Sequence, residues 1–352
     1  MEISKSRYKE LDALRGLAAL LVVFFHFTMN KPEADLGFNL GITGVDLFFI
    51  ISGFVIYMSI NNVSTAKEFV INRFTRLFPT YWTCVTITFI GQIMLKLAYN
   101  VITIEQINFD QYLPNMTMLQ YYFKIPDLDG PYWTMIIELL FYFLILVIYI
   151  FKLHKHLILL VFSFLFLILS YEIVLSNHHS ALFKAINLWF PLIIHLPLFL
   201  SGMLFYKIKM STDRNSVLVN YVFIVFCFVT QLLLLDNTDR WQPFISLNKY
   251  VLMLTIYYTL FILFVKNKLG FIVYPITLFL GKISFALYLI HQFYSIDLII
   301  PYLIKHVHFS LWQASLVALP IVILMATGIT FFVEIPVGQW LNAKLKNWNK
   351  IV

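Results

Sequence analysis

Residues 11–27 of the chain read LDALRGLAALLVVFFHF, and this stretch decides the class of protein. After Asp12 its only ionisable side chains are Arg15 and His26, and the rest is apolar. Extended to residue 29, the run would as a helix cross most of the roughly 30 Å hydrocarbon core of a bilayer. The whole chain has the same character, since 61% of its 352 residues are hydrophobic and only 12% are charged. Water-soluble domains carry about 25% charged residues, so the sequence indicates a membrane protein.

Runs of this length recur along the chain, and they predict an all-α fold, a polytopic transmembrane helical bundle of about ten spans. No linker, repeat or low-complexity segment marks a second domain, so residues 1–352 are expected to form a single integral-membrane domain. The expected spans are about 11–29, 40–60, 78–98, 131–151, 157–175, 185–206, 217–235, 249–265, 274–299 and 311–333.

Basic residues are divided unevenly between the two sides of such a bundle. With the N-terminus in the cytoplasm, 17 of the 25 lysines and arginines fall on the cytoplasmic side and seven on the other, with Lys282 inside the ninth span. The positive-inside rule therefore predicts that both termini are cytoplasmic. The first run lacks a small-residue cleavage site, so we expect no removed signal peptide.

Two other classes of site are disfavoured. The net charge of +7 comes from short basic clusters between apolar runs, which is typical of cytoplasmic loops and not of a nucleic-acid surface. Cys84 and Cys227 lie in apolar segments without a cysteine or histidine at metal-ligand spacing, so we interpret them as packing residues and expect no metal site.

Ionisable side chains inside a span cost several kcal/mol unless they are paired or hydrated, so they are the candidate site residues. Arg15 and His26 are eleven residues apart, close to three helical turns, and would share one face about 16 Å apart along the axis. A guanidinium suits phosphate, and an imidazole exchanges protons near neutral pH. The alternatives are that Arg15 is a basic anchor at the membrane edge and that His26 bonds a neighbouring helix.

Two carboxylates are expected near the depth of His26. Asp46 falls in the first two turns of the second span, and Glu138 lies about 10 Å below the outer end of the fourth. A carboxylate can hold an imidazole in one tautomer and stabilise its protonated form, as acyl-transfer bases require. Structural ion pairs in the bundle would account for either residue equally well.

Basic residues gather at the cytoplasmic ends of three spans. Arg73 and Arg76 are one turn apart just before the expected third span, where they could meet Arg15, and Lys282 opens the ninth. Such a cluster suits a polyphosphate, although basic anchors are common in cytoplasmic loops. His291 lies about halfway through the ninth span, and its role as core or site residue stays open.

These segments resemble the integral-membrane acyltransferase family 3. The similarity runs in order from LDALRGLAALLVVFFHF through GVDLFFIISGFVIY, FVINRFTRLFPTYW, GPYWTMIIELLFYF and ISFALYLIHQF to VEIPVGQWL. The resemblance implies a ten-helix acyltransferase with a cytoplasmic acyl-CoA donor and an acceptor that is often a glycan on the outer face. It also implies functional roles for Arg15 and His26 and makes Arg76, Glu138 and His291 members of the site.

The resulting hypothesis is an O-acyltransferase of the bacterial inner membrane that moves an acyl group, acetyl in particular, from cytoplasmic acyl-CoA to a cell-surface or lipid-linked carbohydrate. His26, oriented by Glu138 or Asp46, would act as general base or carry the acyl group itself, with His291 as a further catalytic candidate. Arg15, Arg73, Arg76 and Lys282 would bind the donor. The alternative is a transporter of a lipid-linked or small anionic substrate, in which the same groups gather the substrate and relay protons.

Overall fold

A computed structural model describes residues 8–101, 103, 106–175, 186–236 and 244–348 of the chain. In these residues the protein is helical and contains no strand. Of the cations counted above, Lys5, Arg7, Lys184, Arg240 and Lys350 lie outside the described residues. The α-helices are α1 (Lys9–Thr28), α2 (Gly44–Ile60), α3 (Ala66–Ala98), α4 (Tyr112–Met116), α5 (Trp133–Ile150), α6 (Leu157–Leu175), α7 (Leu196–Met210), α8 (Arg214–Asp236), α9 (Leu247–Val265), α10 (Pro275–Gln292), α11 (Ile300–Val307), α12 (Leu311–Ile329) and α13 (Ile335–Trp348).

Ten helical stretches within the described residues are long and apolar enough to cross a membrane. This number confirms the predicted multi-pass bundle. The stretches are Lys9–Thr28, Phe38–Ile60, Ala66–Ala98, Gly130–Ile150, Leu153–Ser170, Pro191–Met210, Arg214–Leu235, Leu247–Val265, Pro275–Val307 and Leu311–Asn347. The sixth predicted span began at residue 185, which lies outside the described residues.

The third helix begins twelve residues earlier than predicted. The predicted span 78–98 has Pro79 as its second residue, and proline favours the first helical turn, but α3 begins at Ala66 and continues through Pro79. Threonine hydroxyls donate to carbonyls four residues back, among them Thr75 to Ile71 and Thr83 to the Pro79 carbonyl. These bonds link neighbouring turns of α3 on both sides of the proline. Arg73 and Arg76 therefore lie on the helix itself.

The described residues divide into two compact units. The first comprises those within Met1–Phe25, Asn30–Ala66 and Leu140–Gly281, and the second those within His26–Met29, Lys67–Leu139 and Lys282–Val352. That residues 1–352 form a single domain stays a prediction.

Small residues bring helices of the first unit into close contact. A Cβ atom added to Gly53 of α2 would lie 2.0 Å from the Phe199 carbonyl oxygen of α7, and one added to Gly202 of α7 would lie 2.1 Å from the Ile50 carbonyl oxygen. Gly281 likewise approaches Asp12 of α1, with 1.9 Å between the added Cβ and the Asp12 carbonyl oxygen. Membrane helices pack through such small residues because lipid provides no hydrophobic driving force between them.

In the second unit, α3 holds the connection that precedes α5. The Trp82 indole N–H donates to the Met116 carbonyl at 2.8 Å, and the Gln92 amide donates to the Leu128 carbonyl at 2.6 Å. Asn115, fully buried at the end of α4, accepts from the Leu128 N–H and donates to the Pro126 carbonyl. The connection is thereby fixed to α3 immediately before Asp129.

The last predicted span does not end near residue 333. After α12 the chain makes a π-helical turn over Thr330–Glu334 and continues as α13. The Asn342 amide of α13 donates to Asn72 Oδ1 at 2.9 Å and Thr75 Oγ1 at 3.1 Å, and Lys346 pairs with Glu68 at 3.1 Å. Helix α13 therefore packs along the segment of α3 that carries Arg73 and Arg76.

Candidate functional site

The centre of the candidate site is a pair of histidines in the second unit. His291, fully buried near the end of α10, has its Nε2 atom 3.1 Å from the Nδ1 atom of His26 near the end of α1. Their ring centroids are 4.9 Å apart. The structure thus assigns His291, whose role the sequence left open, to the immediate surroundings of His26.

Hydrogen bonding fixes which nitrogen of each ring carries the proton. His291 Nδ1 lies 3.1 Å from the Leu287 carbonyl oxygen and 2.9 Å from that of Tyr288. Carbonyl oxygens only accept, so Nδ1 of His291 is the protonated nitrogen and Nε2 of the neutral ring is an acceptor. His26 must then donate from Nδ1.

This arrangement determines the chemistry available to His26. A neutral imidazole protonated at Nδ1 carries its lone pair on Nε2, and that atom is the one able to remove a proton or attack a carbonyl. A hydrogen bond at Nδ1 that fixes the tautomer and ring orientation is the function of the orienting residue in a catalytic triad. Here a second imidazole, that of His291, lies at Nδ1 of His26.

The segment after His291 is a π-helix, Phe293–Ile299, and it is tied to Asp129. The Phe293 N–H donates to Asp129 Oδ2 at 3.2 Å, while the Gly130 N–H donates to Oδ1 at 2.8 Å. Asp129 is only 4% exposed, and burial raises its pKa to about 8. Sequence reasoning did not single out Asp129. The one available signal was an aspartate before Gly-Pro, a common start of a helical turn.

The two carboxylates predicted to orient His26, those of Asp46 and Glu138, lie in different units. Asp46 belongs to the first unit, where it is buried on α2. Glu138 belongs to the second unit and is half-buried on α5. Roles for Asp46 and Glu138 in orienting His26 stay predictions.

The predicted donor-binding cations fall into both units. In the second, Arg73 is half-buried with its guanidinium 5.8 Å from the Phe69 ring centroid, Arg76 is exposed one turn further, and the Lys282 ammonium lies 4.2 Å from the Phe331 ring centroid. Arg15 lies in the first unit, with Nη1 3.7 Å from Asp12 Oδ1. Phosphate binding by these residues stays a prediction. Among the described residues, no group of three or more His, Cys, Asp or Glu side chains could hold a metal ion.

One family model matches nearly the whole chain: it is described as an acyltransferase domain and aligns with residues 8–335. No solved structure matches the chain significantly.

Three curated proteins are similar to parts of the chain. Acyltransferase MdmB of Streptomyces mycarofaciens is 27% identical over 148 residues, 39% of this chain and 38% of the relative. Peptidoglycan O-acetyltransferase OatA of Listeria monocytogenes is 29% identical over 93 residues, 25% of this chain and 14% of the relative. Exopolysaccharide production protein ExoZ of Rhizobium meliloti is 34% identical over 71 residues, 20% of this chain and 22% of the relative. The chain spans less than two fifths of the length of each of these relatives.

Proposed function

Because the chain belongs to the integral-membrane acyltransferase family 3, we propose that it transfers an acyl group, acetyl in particular, from acyl-CoA to a hydroxyl of a carbohydrate. The observation that carries this proposal is the His26–His291 pair, which directs the basic nitrogen of His26 to Nε2. The names of two relatives, a peptidoglycan O-acetyltransferase and an exopolysaccharide production protein, support a carbohydrate acceptor.

In the proposed reaction His26 Nε2 removes the proton from the acceptor hydroxyl. The hydroxyl oxygen attacks the thioester carbonyl carbon, the carbon–sulfur bond breaks, and the CoA thiolate takes up the proton from His26. While His26 is protonated, the hydrogen bond from its Nδ1–H to His291 Nε2 becomes charge-assisted and therefore stronger. The same Nε2 lone pair would serve the alternative route, in which His26 first accepts the acyl group and the acceptor hydroxyl then displaces it.

The donor would be held through its phosphates by basic residues of the second unit. Arg73 and Arg76 present guanidinium forks one turn apart on α3, and such forks match phosphate oxygens in pairs. The bonds from Asn342 and Lys346 keep this segment of α3 against α13. Lys282 would add a point charge. Arg15 is retained as a predicted donor-binding residue.

The remaining elements of the proposal concern location. An even number of spans puts both termini on one side, and the basic residues favour the cytoplasm. The protein then lies in the inner membrane of a bacterial cell, and acyl-CoA enters from the cytoplasm. The carbohydrate, at the cell surface or lipid-linked, approaches from the other side.

The test uses the full chain reconstituted in lipid vesicles with [14C]acetyl-CoA and a lipid-linked glycan extract from the expression host. We expect radiolabel in the glycan fraction that mild alkali releases, as an ester requires. His26→Ala should abolish the label, and His306→Ala, which removes an exposed histidine of α11, should leave it unchanged.

Two results would contradict the proposal. Labelling that persists in His26→Ala at equal protein level would show that the base is another residue. If the wild type consumes no acetyl-CoA but moves a phosphorylated substrate across the vesicle membrane, the transporter alternative replaces the transferase.

A further inference from the structure

We propose that Asp129 is a positioning residue for this chemistry: by holding the first amide of the π-helix it fixes His291, and through His291 the tautomer and orientation of His26. The inference rests on the proposed function, because it assigns to Asp129 an effect on the base of that reaction.

The helix that carries His291 changes its hydrogen-bond register directly after that residue. α10 ends at Gln292, the residue after His291, and the π-helix begins at Phe293. A π-helix closes its bonds five residues back, so one extra residue must be accommodated in this turn, and such bulges are frequent at functional sites. The Ser295 hydroxyl bonds the His291 carbonyl, and Asp129 bonds the Phe293 N–H. Side-chain partners therefore bond two backbone groups at the start of the π-helix.

Asp129 is itself held in place by its chain neighbours. It precedes a short 3₁₀ turn, Gly130–Tyr132, and accepts the Gly130 N–H as its N-cap. The preceding residue, Leu128, is bonded through its N–H to Asn115 and through its carbonyl to Gln92 of α3. A carboxyl fixed on both sides can set the position of the amide that it binds.

Gly130, next to the Asp129 carboxyl, lies in close contact with Gln292. A Cβ atom added to Gly130 would lie 2.3 Å from Gln292 Oε1 and 2.5 Å from its Nε2. A side chain at position 130 would therefore require the terminal amide of Gln292, the direct neighbour of His291, to shift. Two contacts, one to Phe293 and one to Gln292, thus connect the Asp129 turn to the residues that follow His291.

The ionisation of Asp129 offers a measurable signature. Its pKa is raised from 3.8 to about 8, chiefly by burial and to a smaller extent by Asp297 and Asp127, although the Phe293 and Gly130 amides lower it. Tyr132, Tyr294 and Cys84 also face the carboxyl. Because the folded state disfavours the charged form, the stability of the protein should fall as the pH rises from about 4 to about 8 and remain lower above that range.

The experiment compares Asp129→Ala, Asp129→Asn and Gly130→Ala with the wild type, using acetyl transfer in vesicles and ¹⁵N NMR of the histidine side chains in lipid. Asp110→Asn and Gly270→Ala are matched controls, since Asp110 is exposed and nothing lies within 4 Å of a Cβ added to Gly270. We expect Asp129→Ala to lower kcat by about a hundredfold, the scale of a small misplacement of a reacting group, without raising KM for acetyl-CoA. Asp129→Asn, which keeps one acceptor oxygen, should lose less activity and should remove the fall in thermal stability between pH 5 and pH 9.

The NMR measurement separates this inference from the proposed function. The wild type should show His26 and His291 both protonated at Nδ1, and Asp129→Ala and Gly130→Ala should replace this pattern by a mixture of tautomers. If the histidine signals change in this way but no acetyl transfer occurs in the wild type, the positioning stands and the proposed reaction is wrong. The positioning role is overturned if Asp129→Ala and Gly130→Ala both keep the wild-type histidine signals and the wild-type kcat. It is also overturned if Asp129→Asn loses as much activity as Asp129→Ala.

Discussion

Replacing His291 by phenylalanine isolates the hydrogen bond between the two imidazoles. Phenylalanine fills a similar volume in the buried site but offers no acceptor to His26 Nδ1–H, which lies 3.1 Å from His291 Nε2. His26 would remain in place as a side chain but would lose the partner that selects its tautomer. Glutamine at position 291 is the matched rescue, because its amide oxygen can accept the same proton.

The size of the effect follows from the charge on His26 in the transition state. A hydrogen bond to a charged group contributes about 1.5–3 kcal/mol, and each 1.36 kcal/mol in the barrier changes the rate about tenfold. We therefore expect His291→Phe to lower kcat by about 10- to 150-fold. KM for acetyl-CoA should not change, since the bond strengthens only after His26 takes up the proton.

The assay is initial-rate transfer from [14C]acetyl-CoA to the glycan extract at saturating donor, with each variant at equal level in the vesicles. His306→Phe is the control for the substitution itself, because that histidine is exposed. The reasoning is refuted if His291→Phe keeps the wild-type kcat, or if His291→Gln is as impaired as His291→Phe. A rise in KM with constant kcat would assign His291 to donor binding instead.

Two further predictions concern the scaffold. Asn342→Ala removes two hydrogen bonds from α13 to the arginine-bearing segment of α3 and should raise KM for acetyl-CoA by about three- to tenfold with little change in kcat. The control is the same substitution at Asn347, an exposed residue of α13, which should leave KM unchanged. Equal KM values in the two variants would disprove the role of the contact. Gly281→Ala puts a methyl group against the α1 backbone and should destabilise the protein by about 1–3 kcal/mol. The measurement is the midpoint of thermal unfolding in lipid vesicles, which Gly281→Ala should lower and Gly270→Ala should leave unchanged. A similar fall of the midpoint in both variants would show that the close packing is not responsible.

The sequence predicted the membrane spans well because their signal is local. Length and hydropathy decide whether a helix can cross a bilayer, and neither depends on which helices are neighbours. Helix ends were less predictable. A proline favours the first turn of a helix, yet α3 runs through Pro79, because membrane helices tolerate an internal proline where neighbouring groups satisfy the freed backbone. The extension of the last span beyond residue 333 was missed because α13 is polar enough to resemble a loop.

The site was only partly predictable, because its decisive contacts join distant parts of the chain. His26 was singled out by the energetic cost of an imidazole inside a span, and the same argument applied to Asp46, Glu138 and His291 without ranking them. Only the fold shows that His291 bonds His26, across 265 positions of sequence.

Asp129 was harder to find than the histidines, and the reason is physical. Its carboxyl acts on backbone amides, and an amide is present at every position other than proline, so no residue type marks the partner in the sequence. The π-helical turn that exposes the Phe293 amide to it depends on tertiary packing around His291. A side chain that acts through the backbone next to a base is therefore visible only once the register of that helix is known, and the tautomer of His26 is the quantity through which its contribution can be measured.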